Sequence, residues 1–358
     1  MLARPTIARY TRATLPSGTL ARGDGQRTRS GSEACRTHHV TIAMNLLMLG
    51  RDEVEALLDP DALLTALAGG FIALSAGQVQ APPRSELGAA GTGHLLVKPA
   101  WIDGHPMAVK LVSTFPGNRD RGLPTIQAVI ALVDASTGTP LAIMDGSHIT
   151  AMRTAGGAAL SARCLARTDA RVLAIVGAGV QGLAHLQLLP RVRGITEIRI
   201  VSRRLADAEA VAATDARARA VASVREAVHG ADVVCLCTTS ATPVIEVDWL
   251  APGAHVTSVG YAPPGGELPP DVVRRARLAV ESRLSFDPPP AGCAELTGLD
   301  PALGTELGEL LAGRAPGRTS ATELTAYKSM GHAMEDLVVA ELVYRRACEQ
   351  GVGQAMRL

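Results

Sequence analysis

The chain has 358 residues, of which 47% are hydrophobic and 19% charged, and its formal net charge is +1 at pH 7. This length and composition predict a soluble protein with room for two domains. Because aromatic residues make up only 3% of the chain and no basic face is evident, we expect no nucleic-acid partner.

Membrane and metal-binding classes are also disfavoured by the sequence. No apolar stretch reaches the roughly 18 residues that indicate a membrane span. The six cysteines form no CxxC pair and have no histidines at zinc-binding spacing. We therefore expect reduced thiols, a cytoplasmic protein and no metal site.

The first 43 residues differ from the rest of the chain. They contain seven Arg and only two acidic residues, without helical or strand periodicity. We expect this segment to be a disordered extension, and Met44 to be the natural start of the folded part. A flexible tail and a targeting peptide are the alternatives.

Two kinds of pattern follow in chain order. From Asp52, apolar residues at helical spacing, interrupted near Pro60, predict two short helices. Strand patterns separated by turn-forming segments then predict an antiparallel sheet, at 94–98, 107–114 and 125–134. After a helical stretch at 147–168, alternating strand and helix patterns predict a parallel, doubly wound sheet. Its segments are 171–177, 183–191, 197–202, 204–213, 232–237, 255–260 and 277–281, and a periodic helix is predicted within 322–351.

A glycine-rich turn lies between the first of these strands and its helix. The segment RVLAIVGAGVQG contains Gly177, Gly179 and Gly182 in the spacing GxGxxG. In this context the glycines permit a tight turn, close approach of a pyrophosphate, and packing of helix on strand. The sequence therefore predicts a dinucleotide site.

The end of the next strand indicates which dinucleotide is bound. This position usually carries an Asp or Glu for the ribose hydroxyl of NAD, but here it reads Ser202, Arg203 and Arg204. A hydroxyl and two guanidinium groups suit a 2′-phosphate. We expect NADP(H) to be preferred, with NAD(H) as the alternative.

Lysine is rare in this chain, since only Lys98, Lys110 and Lys328 occur among 35 basic residues. Where Arg supplies nearly every surface charge, a Lys is a candidate for chemistry that needs an ammonium with an adjustable pKa. Lys110 lies in the apolar strand MAVKLV and is the strongest candidate.

The chain resembles the ornithine cyclodeaminase/mu-crystallin family, and its imine reductase and amino-acid dehydrogenase members more than true cyclodeaminases. The matching segments include VKLVSTFPGNRDRGLPTIQAVIALVDASTGTPLAIMDG, TAMRTAGGAALSARCLAR, VGAGVQG, VTSVGYAPPGGELPPDVV and ELTAYKSMGHAMEDLVVAELVY. They cover most of residues 84–345 in the family's order.

The resemblance implies roles for individual residues. Lys110 and Arg153 would be catalytic, Arg153 by gripping the substrate carboxylate. Arg84 would be a second carboxylate-binding arginine, and Thr125 would line the pocket. The other expected cofactor contacts are Thr154, Val180, Gln181, Thr238 and Met330.

Two positions depart from the family pattern. True cyclodeaminases carry an aspartate where this chain has Ala262, and alanine can neither accept a proton nor orient an amine. Lys98 stands where the family usually has methionine, and a cation there could contact an acidic substrate. Lys328 and Asp336 are predicted on the C-terminal helix, either near the nicotinamide or on a solvated face.

These features predict an α/β fold, with a Rossmann doubly wound parallel sheet and an α+β substrate-binding and dimerisation domain. The expected domains are the extension 1–43, the substrate domain 44–165 with 319–358, and the Rossmann domain 166–318. The resemblance implies a homodimer.

The leading functional hypothesis is an NADP(H)-dependent oxidoreductase of a small α-imino or α-amino acid, a ketimine reductase or amino-acid dehydrogenase, with hydride transfer at the α-carbon. Three alternatives remain open. They are an ornithine- or lysine-type cyclodeaminase with internally recycled NAD, an opine-like or diamino-acid synthase, and a non-catalytic NADPH- and ligand-binding protein of the crystallin type.

Overall fold

Two eight-stranded sheets organise the protein, in a computed structural model that describes residues 45–357. The expected extension 1–43 lies outside these residues. The first sheet has the order β16-β1-β7-β6-β5-β4-β2, with β3 paired to β4. Its strands are β1 (Asn45–Leu49), β2 (Val79–Gln80), β3 (Ser85–Ala89), β4 (Gly93–Ile102), β5 (Met107–Thr114), β6 (Ile126–Val133), β7 (Pro140–Asp145) and β16 (Gln354–Arg357).

The first sheet is antiparallel throughout except where β1 runs parallel to β7. This agrees with the expected antiparallel strands, which are here β4, β5 and β6. Residues alternate between the two faces of a strand. One face of β5 therefore carries the buried Ala108, Lys110 and Val112, and the other the exposed Met107 and Leu111.

The second sheet is entirely parallel, in the order β10-β9-β8-β11-β12-β15-β13-β14. The order reverses between β8 and β11, and the carboxyl ends of strands at such a point form the usual ligand crevice. The strands are β8 (Val172–Val176), β9 (Glu197–Val201), β10 (Ala218–Ala220), β11 (Val233–Leu236), β12 (His255–Ser258), β13 (Arg277–Val280), β14 (Gly304–Glu306) and β15 (Thr325–Lys328).

Helices cover both sheets, and the longest connects them. Helix α3 begins at the cap of Asp145, whose carboxylate accepts the N–H of His148 at 2.8 Å. Small residues let α3 approach its neighbours, since a Cβ at Gly156 would lie 2.4 Å from Leu67. The helices are α1 (Arg51–Leu57), α2 (Pro60–Ser75), α3 (Gly146–Leu165), α4 (Val180–Leu188), α5 (Leu205–Ala212), α6 (Val224–Val228), α7 (Pro270–Arg275), α8 (Leu307–Leu311) and α9 (Ala333–Gln350).

The α/β fold class is confirmed, but one predicted element is wrong. The C-terminal helix begins at Ala333, whereas Thr325–Lys328 is the strand β15, between β12 and β13. All four residues of β15 are buried, and a short segment buried on both faces has no polar side to reveal its period. The proposed domain boundaries stay a prediction, with β15 in the range assigned to the substrate domain.

No single helix among the described residues is long and apolar enough to cross a membrane. Helices α1 and α2 together meet the length and composition criteria, but they are bent by 86°.

Candidate active site

The N-terminus of α9 presents two adjacent buried acids, Glu335 and Asp336. Glu335 accepts the N–H of His332 at 2.8 Å, while the His332 ring nitrogen accepts the N–H of Met334 at 3.1 Å. This reciprocal cap fixes the first turn of the helix, where the helix dipole favours negative charge. Gly331, with φ +75°, makes the turn that precedes it.

Three cationic side chains surround the Asp336 carboxylate. Lys110 Nζ lies 2.6 Å from Oδ1, and Lys98 Nζ lies 3.2 Å from Oδ2. Arg153 Nε is also 3.2 Å from Oδ1, although its N–H is not aligned for a hydrogen bond. Asp336 and Lys110 are each 1% exposed, so the expected alternative of a solvated helix face is wrong for Asp336.

Each of the three cationic side chains also donates a hydrogen bond to an acceptor outside the Asp336 carboxylate. Lys98 donates to the carbonyl of Gly331 at 2.9 Å, and Lys110 donates to the Thr150 hydroxyl at 3.2 Å. Arg153 Nη1 donates to Glu335 at 2.9 Å. A Cβ at residue 331 would lie 2.5 Å from that nitrogen, so the guanidinium packs against a position that only glycine can occupy.

Burial and charge shift the pKa values of this cluster in opposite directions. Burial lowers the pKa of Lys110 well below its ordinary value and lowers that of Lys98, while Asp336 opposes both shifts. Burial would raise the pKa of Asp336, but the surrounding cations hold it well below its usual range. Burial and the neighbouring Glu281 raise the pKa of Glu335 to about 8 against the opposing charge of Arg153.

A cavity of about 70 Å³ adjoins this cluster and is lined by Arg84, Lys98, Glu281, Met330 and His332, among others. Arg84 donates to the carbonyls of Met330 and Ala291, at 3.4 and 3.2 Å, and makes no salt bridge with a carboxylate within residues 45–357. The cavity thus presents two cationic side chains, which can bind an anion.

The Glu281 carboxylate in the cavity wall already accepts hydrogen bonds from the protein itself. One oxygen accepts the hydroxyl of Ser329 and the N–H of Gly331, and the other accepts the N–H of Met330 at 3.0 Å. Glu281 therefore holds the segment before α9 in place.

The glycine turn has the shape that a dinucleotide requires. Gly177 has φ +112°, and a Cβ there would lie 2.4 Å from the carbonyl oxygen of Cys237. A Cβ at Gly182 would lie 2.0 Å from the Gly177 carbonyl oxygen, whereas one at Gly179 would meet nothing within 4 Å. Open space therefore lies beside the N-terminus of α4, whose N-cap Gly179 has no capping side chain. Free N–H groups there suit a pyrophosphate.

The residues around this turn also fit a dinucleotide. The Gln181 side-chain oxygen is buried without a hydrogen-bond partner among the described residues, and Val180 is 67% exposed. Gly177 donates to the carbonyl of Val201 at 2.8 Å, so the end of β9 adjoins the turn. Beyond it, Ser202 is half-buried and Arg203 is exposed.

The two arginines after β9 differ in whether their side chains have a partner. Arg204 pairs with Asp207 at 2.8 Å. Arg203 makes no side-chain hydrogen bond or salt bridge to any residue in the described part of the chain, so its guanidinium is available for an added anion.

A second buried network holds the carboxyl ends of β11, β12 and β15. Glu267 accepts the N–H and hydroxyl of Thr238, each at 2.7 Å, and the N–H of Gly260 at 2.6 Å. Lys328 pairs with Glu295 and donates to the carbonyl of Gly260, each at 2.7 Å. Lys328 is fully buried on β15, so its predicted place on the C-terminal helix and the alternative of a solvated face are both wrong.

Of the predicted site residues, only Arg84, Lys98 and Met330 line the small cavity. Thr125 lines a separate cavity of about 890 Å³, together with Thr150, Val180 and Gln181. The Thr154 hydroxyl donates to the Thr150 carbonyl within α3. Lys110, bonded to both Asp336 and Thr150, joins the buried cluster to the wall of this larger cavity.

Sequence reasoning did not single out Glu335, Glu281, Glu267 or Glu295. The clearest available signal was the acidic pair in the apolar segment AMEDLVVAEL. Charged residues are rarely buried unless paired, so two acids in a buried helix imply cationic partners. The three glutamates on loops carry no such periodic signal.

Comparison with known proteins identifies one family. The model of the ornithine cyclodeaminase/mu-crystallin family matches residues 44–351. The ketimine reductase mu-crystallin of Mus musculus is 36% identical over 304 residues, covering 83% of this chain and 96% of that protein.

Solved structures agree with the family match. The Thermococcus litoralis Δ1-pyrroline-2-carboxylate reductase, in complex with NADH and L-proline, has a TM-score of 0.82 and 32% identity, covering 86% of this chain and 99% of that one. An archaeal alanine dehydrogenase dimer with bound NAD has a TM-score of 0.80 and 30% identity, covering 87% and 99%.

Proposed function

The chain belongs to the ornithine cyclodeaminase/mu-crystallin family and is an NAD(P)-dependent oxidoreductase that acts on CH–NH or C=N bonds; we propose that it interconverts a small α-imino acid and its α-amino acid, preferring NADP(H). The observation that carries this proposal is the buried cluster of Lys98, Lys110 and Arg153 around Asp336, next to a cavity lined by Arg84.

Arg84 and Arg153 bind the substrate carboxylate in this proposal. A planar guanidinium matches a carboxylate with two parallel N–H donors. Arg84 uses two of its nitrogens on backbone carbonyls and keeps further donors, while Arg153 Nη2 has no hydrogen-bond partner among residues 45–357. Both arginines are held by contacts with the segment that precedes α9, which fixes the position of the carboxylate.

Lys110 serves as the proton donor to the imine nitrogen in the direction of reduction. Its Nζ transfers one proton to that nitrogen and becomes a neutral amine, which Asp336 and Thr150 continue to hold. Burial lowers the pKa of Lys110, which makes proton release easier, while the opposing charge of Asp336 favours the ammonium form.

The residues that hold the dinucleotide are those of the glycine turn and its neighbours. The turn from Gly177 to Gly182 binds the pyrophosphate, and Ser202, Arg203 and Arg204 bind the 2′-phosphate. Thr154, Thr238 and Met330 contact the nicotinamide end. When bound, the nicotinamide supplies or accepts a hydride at the substrate α-carbon.

Ala262 supports a reductase over a ring-forming deaminase. It lies in a loop where Ala262 and Gly265 form an isolated antiparallel bridge, and its methyl group can neither accept a proton nor hold an amine.

We also propose a homodimer through the outer face of the first sheet. Leu111 and Val129 lie directly opposite each other on β5 and β6 and are both 44% exposed, and Leu87 and Ile126 add apolar surface. The archaeal alanine dehydrogenase is described as a dimer. Analytical ultracentrifugation should give the mass of two chains, and Leu111→Glu should give one. A wild-type monomer would refute the dimer.

Nicotinamide absorbance tests the function directly. We expect the purified protein to oxidise NADPH in the presence of a cyclic imine carboxylate, faster than NADH. Lys110→Met should lower kcat by about 100-fold, the lower end of the range for lost acid–base catalysis. Full turnover by the Lys110→Met protein, or no oxidation with any imine, would refute the proposal.

A further inference from the structure

Lys98 has a donor that the protein does not use. It lies in the wall of the 70 Å³ cavity, and its ammonium donates to Gly331 and Asp336. An ammonium has three N–H donors. Among residues 45–357 the third has no acceptor, although Lys98 is only 5% exposed. A buried donor without a partner is costly, so this site is suited to an acceptor on a ligand.

The charges around the cavity indicate the sign of the charge on that ligand. Four basic side chains, Arg84, Lys98, Lys110 and Arg153, and three acidic ones, Glu281, Glu335 and Asp336, lie around the cavity and in the cluster beside it. With all four basic groups protonated, the surplus is one positive charge when all three acids are ionised, and two when Glu335 is protonated. A buried uncompensated charge is strongly unfavourable, so an anion is needed to balance it.

A monocarboxylic imino acid leaves part of this site unused. Its one carboxylate is held by Arg84 and Arg153, so the third N–H of Lys98 still has no acceptor. A second carboxylate on the side chain supplies that acceptor, and it also balances the second surplus charge that is present when Glu335 is protonated.

We propose that the substrate is an α-imino or α-amino dicarboxylic acid, with Lys98 binding the side-chain carboxylate while Arg84 and Arg153 bind the other. This inference rests on the proposed function. Lys98 is then a specificity-determining residue in addition to the proton donor Lys110.

Substrate comparison tests this assignment. Imines formed in solution from ammonia with oxaloacetate or with pyruvate differ by one carboxylate, and NADPH oxidation reports both. We expect the wild type to favour the oxaloacetate-derived imine by about 10-fold or more in kcat/KM, because a buried charge pair contributes at least that much. Lys98→Met should remove this preference, measured as the ratio of kcat/KM for the two imines within the same variant, and Lys98→Arg should keep part of it.

Inhibition of the wild type gives a second measurement that needs no variant. Succinate and butyrate have the same number of carbons and differ by one carboxylate. We expect succinate to be the tighter competitive inhibitor by about 10-fold or more, on the same grounds. Equal inhibition by both, or a wild-type preference for the pyruvate-derived imine, would overturn the dicarboxylate assignment.

Two further outcomes distinguish failure of the dicarboxylate assignment from failure of the proposed reductase function. If Lys98→Met lowers both activities equally, Lys98 only supports the fold and the assignment fails, while the reductase function stands. If neither these imines nor a cyclic imine carboxylate is reduced, the proposed function itself is refuted.

Discussion

Lys98 and Lys110 lie directly opposite each other on the antiparallel strands β4 and β5 and share one carboxylate, that of Asp336. Like charges in this arrangement repel each other, and burial strengthens the repulsion. The sheet therefore keeps both lysines on its inner face only because α9 places an acid between them. Asp336 therefore both stabilises the buried lysines and holds Lys110, the proposed proton donor, in place.

Asp336→Asn should destabilise the protein by about 3–5 kcal/mol, because it leaves three buried cations without their shared counter-charge. Chemical denaturation monitored by circular dichroism measures this. The matched control is Asp248→Asn, an 84% exposed acid that lies 3.4 Å from Arg275, and it should cost less than about 1 kcal/mol. Equal losses for both variants would show that the Asp336 cluster contributes no more than a surface pair.

The double substitution Arg203→Ala and Arg204→Ala should raise KM for NADPH by about 10-fold or more and leave KM for NADH within about twofold. Two charge-assisted contacts to the 2′-phosphate would be lost, and NADH has no such group. Arg225→Ala, an exposed arginine on α6, serves as the control and should change neither KM. A parallel rise for both dinucleotides would contradict a role in phosphate selection.

Binding of a carboxylate inhibitor should weaken as the pH rises through about 8. Glu335 has its pKa raised to about 8, so below this pH it is mainly neutral and Arg153 can bind an added carboxylate. Above it, the ionised Glu335 competes for the same guanidinium. The inhibition constant of succinate, measured from about pH 6.5 to 9.5, should show this transition.

The Glu335→Gln variant separates this ionisation from that of the lysines. Glutamine stays neutral at every pH, so the transition near pH 8 should disappear. Any transition caused by Lys98 or Lys110 would persist. Persistence of the whole transition in the variant would rule out Glu335 as its source.

His255 should make the fold sensitive to acid. Its ring is fully buried between the hydroxyls of Ser161 and Thr325, and burial lowers its pKa from 6.5 to about 3. Below about pH 6.5 the unfolded chain therefore binds more protons than the folded one. The free energy of unfolding should fall as pH drops from 6.5 towards 3, by up to about 1.4 kcal/mol per pH unit.

Denaturant titrations between pH 7 and 4 can isolate this contribution. His255→Asn should be less stable at pH 7 but have a shallower pH dependence, whereas the exposed His229→Asn should match the wild-type slope. An unchanged slope in His255→Asn would contradict the buried, neutral state of this ring.

The α/β class and eight of the sixteen strands within residues 45–357 were predictable, because the periodicity of those strands is local. The glycine turn was predictable for the same reason. The role of Asp336 was not, because its bond to Lys110 joins residues 226 positions apart and depends on how α9 packs against the first sheet. Strand β15 was missed because it is buried on both faces and short.

The scarcity of lysine predicted that these side chains perform tasks unsuited to arginine, and all three are buried, at 5% exposure or less. Their acidic partners could not be identified, since Glu295 and Asp336 approach Lys328 and Lys110 only in the folded chain.

Isotope transfer tests the central claim most directly. The protein is incubated with an imino acid substrate and NADPH deuterated at nicotinamide C4 on either face, and the product amino acid is examined by NMR and mass spectrometry. The account predicts one deuterium at the α-carbon, from one of the two labelled faces, and about 100-fold slower transfer by Lys110→Met. Consumption of NADPH without deuterium at the α-carbon would contradict it.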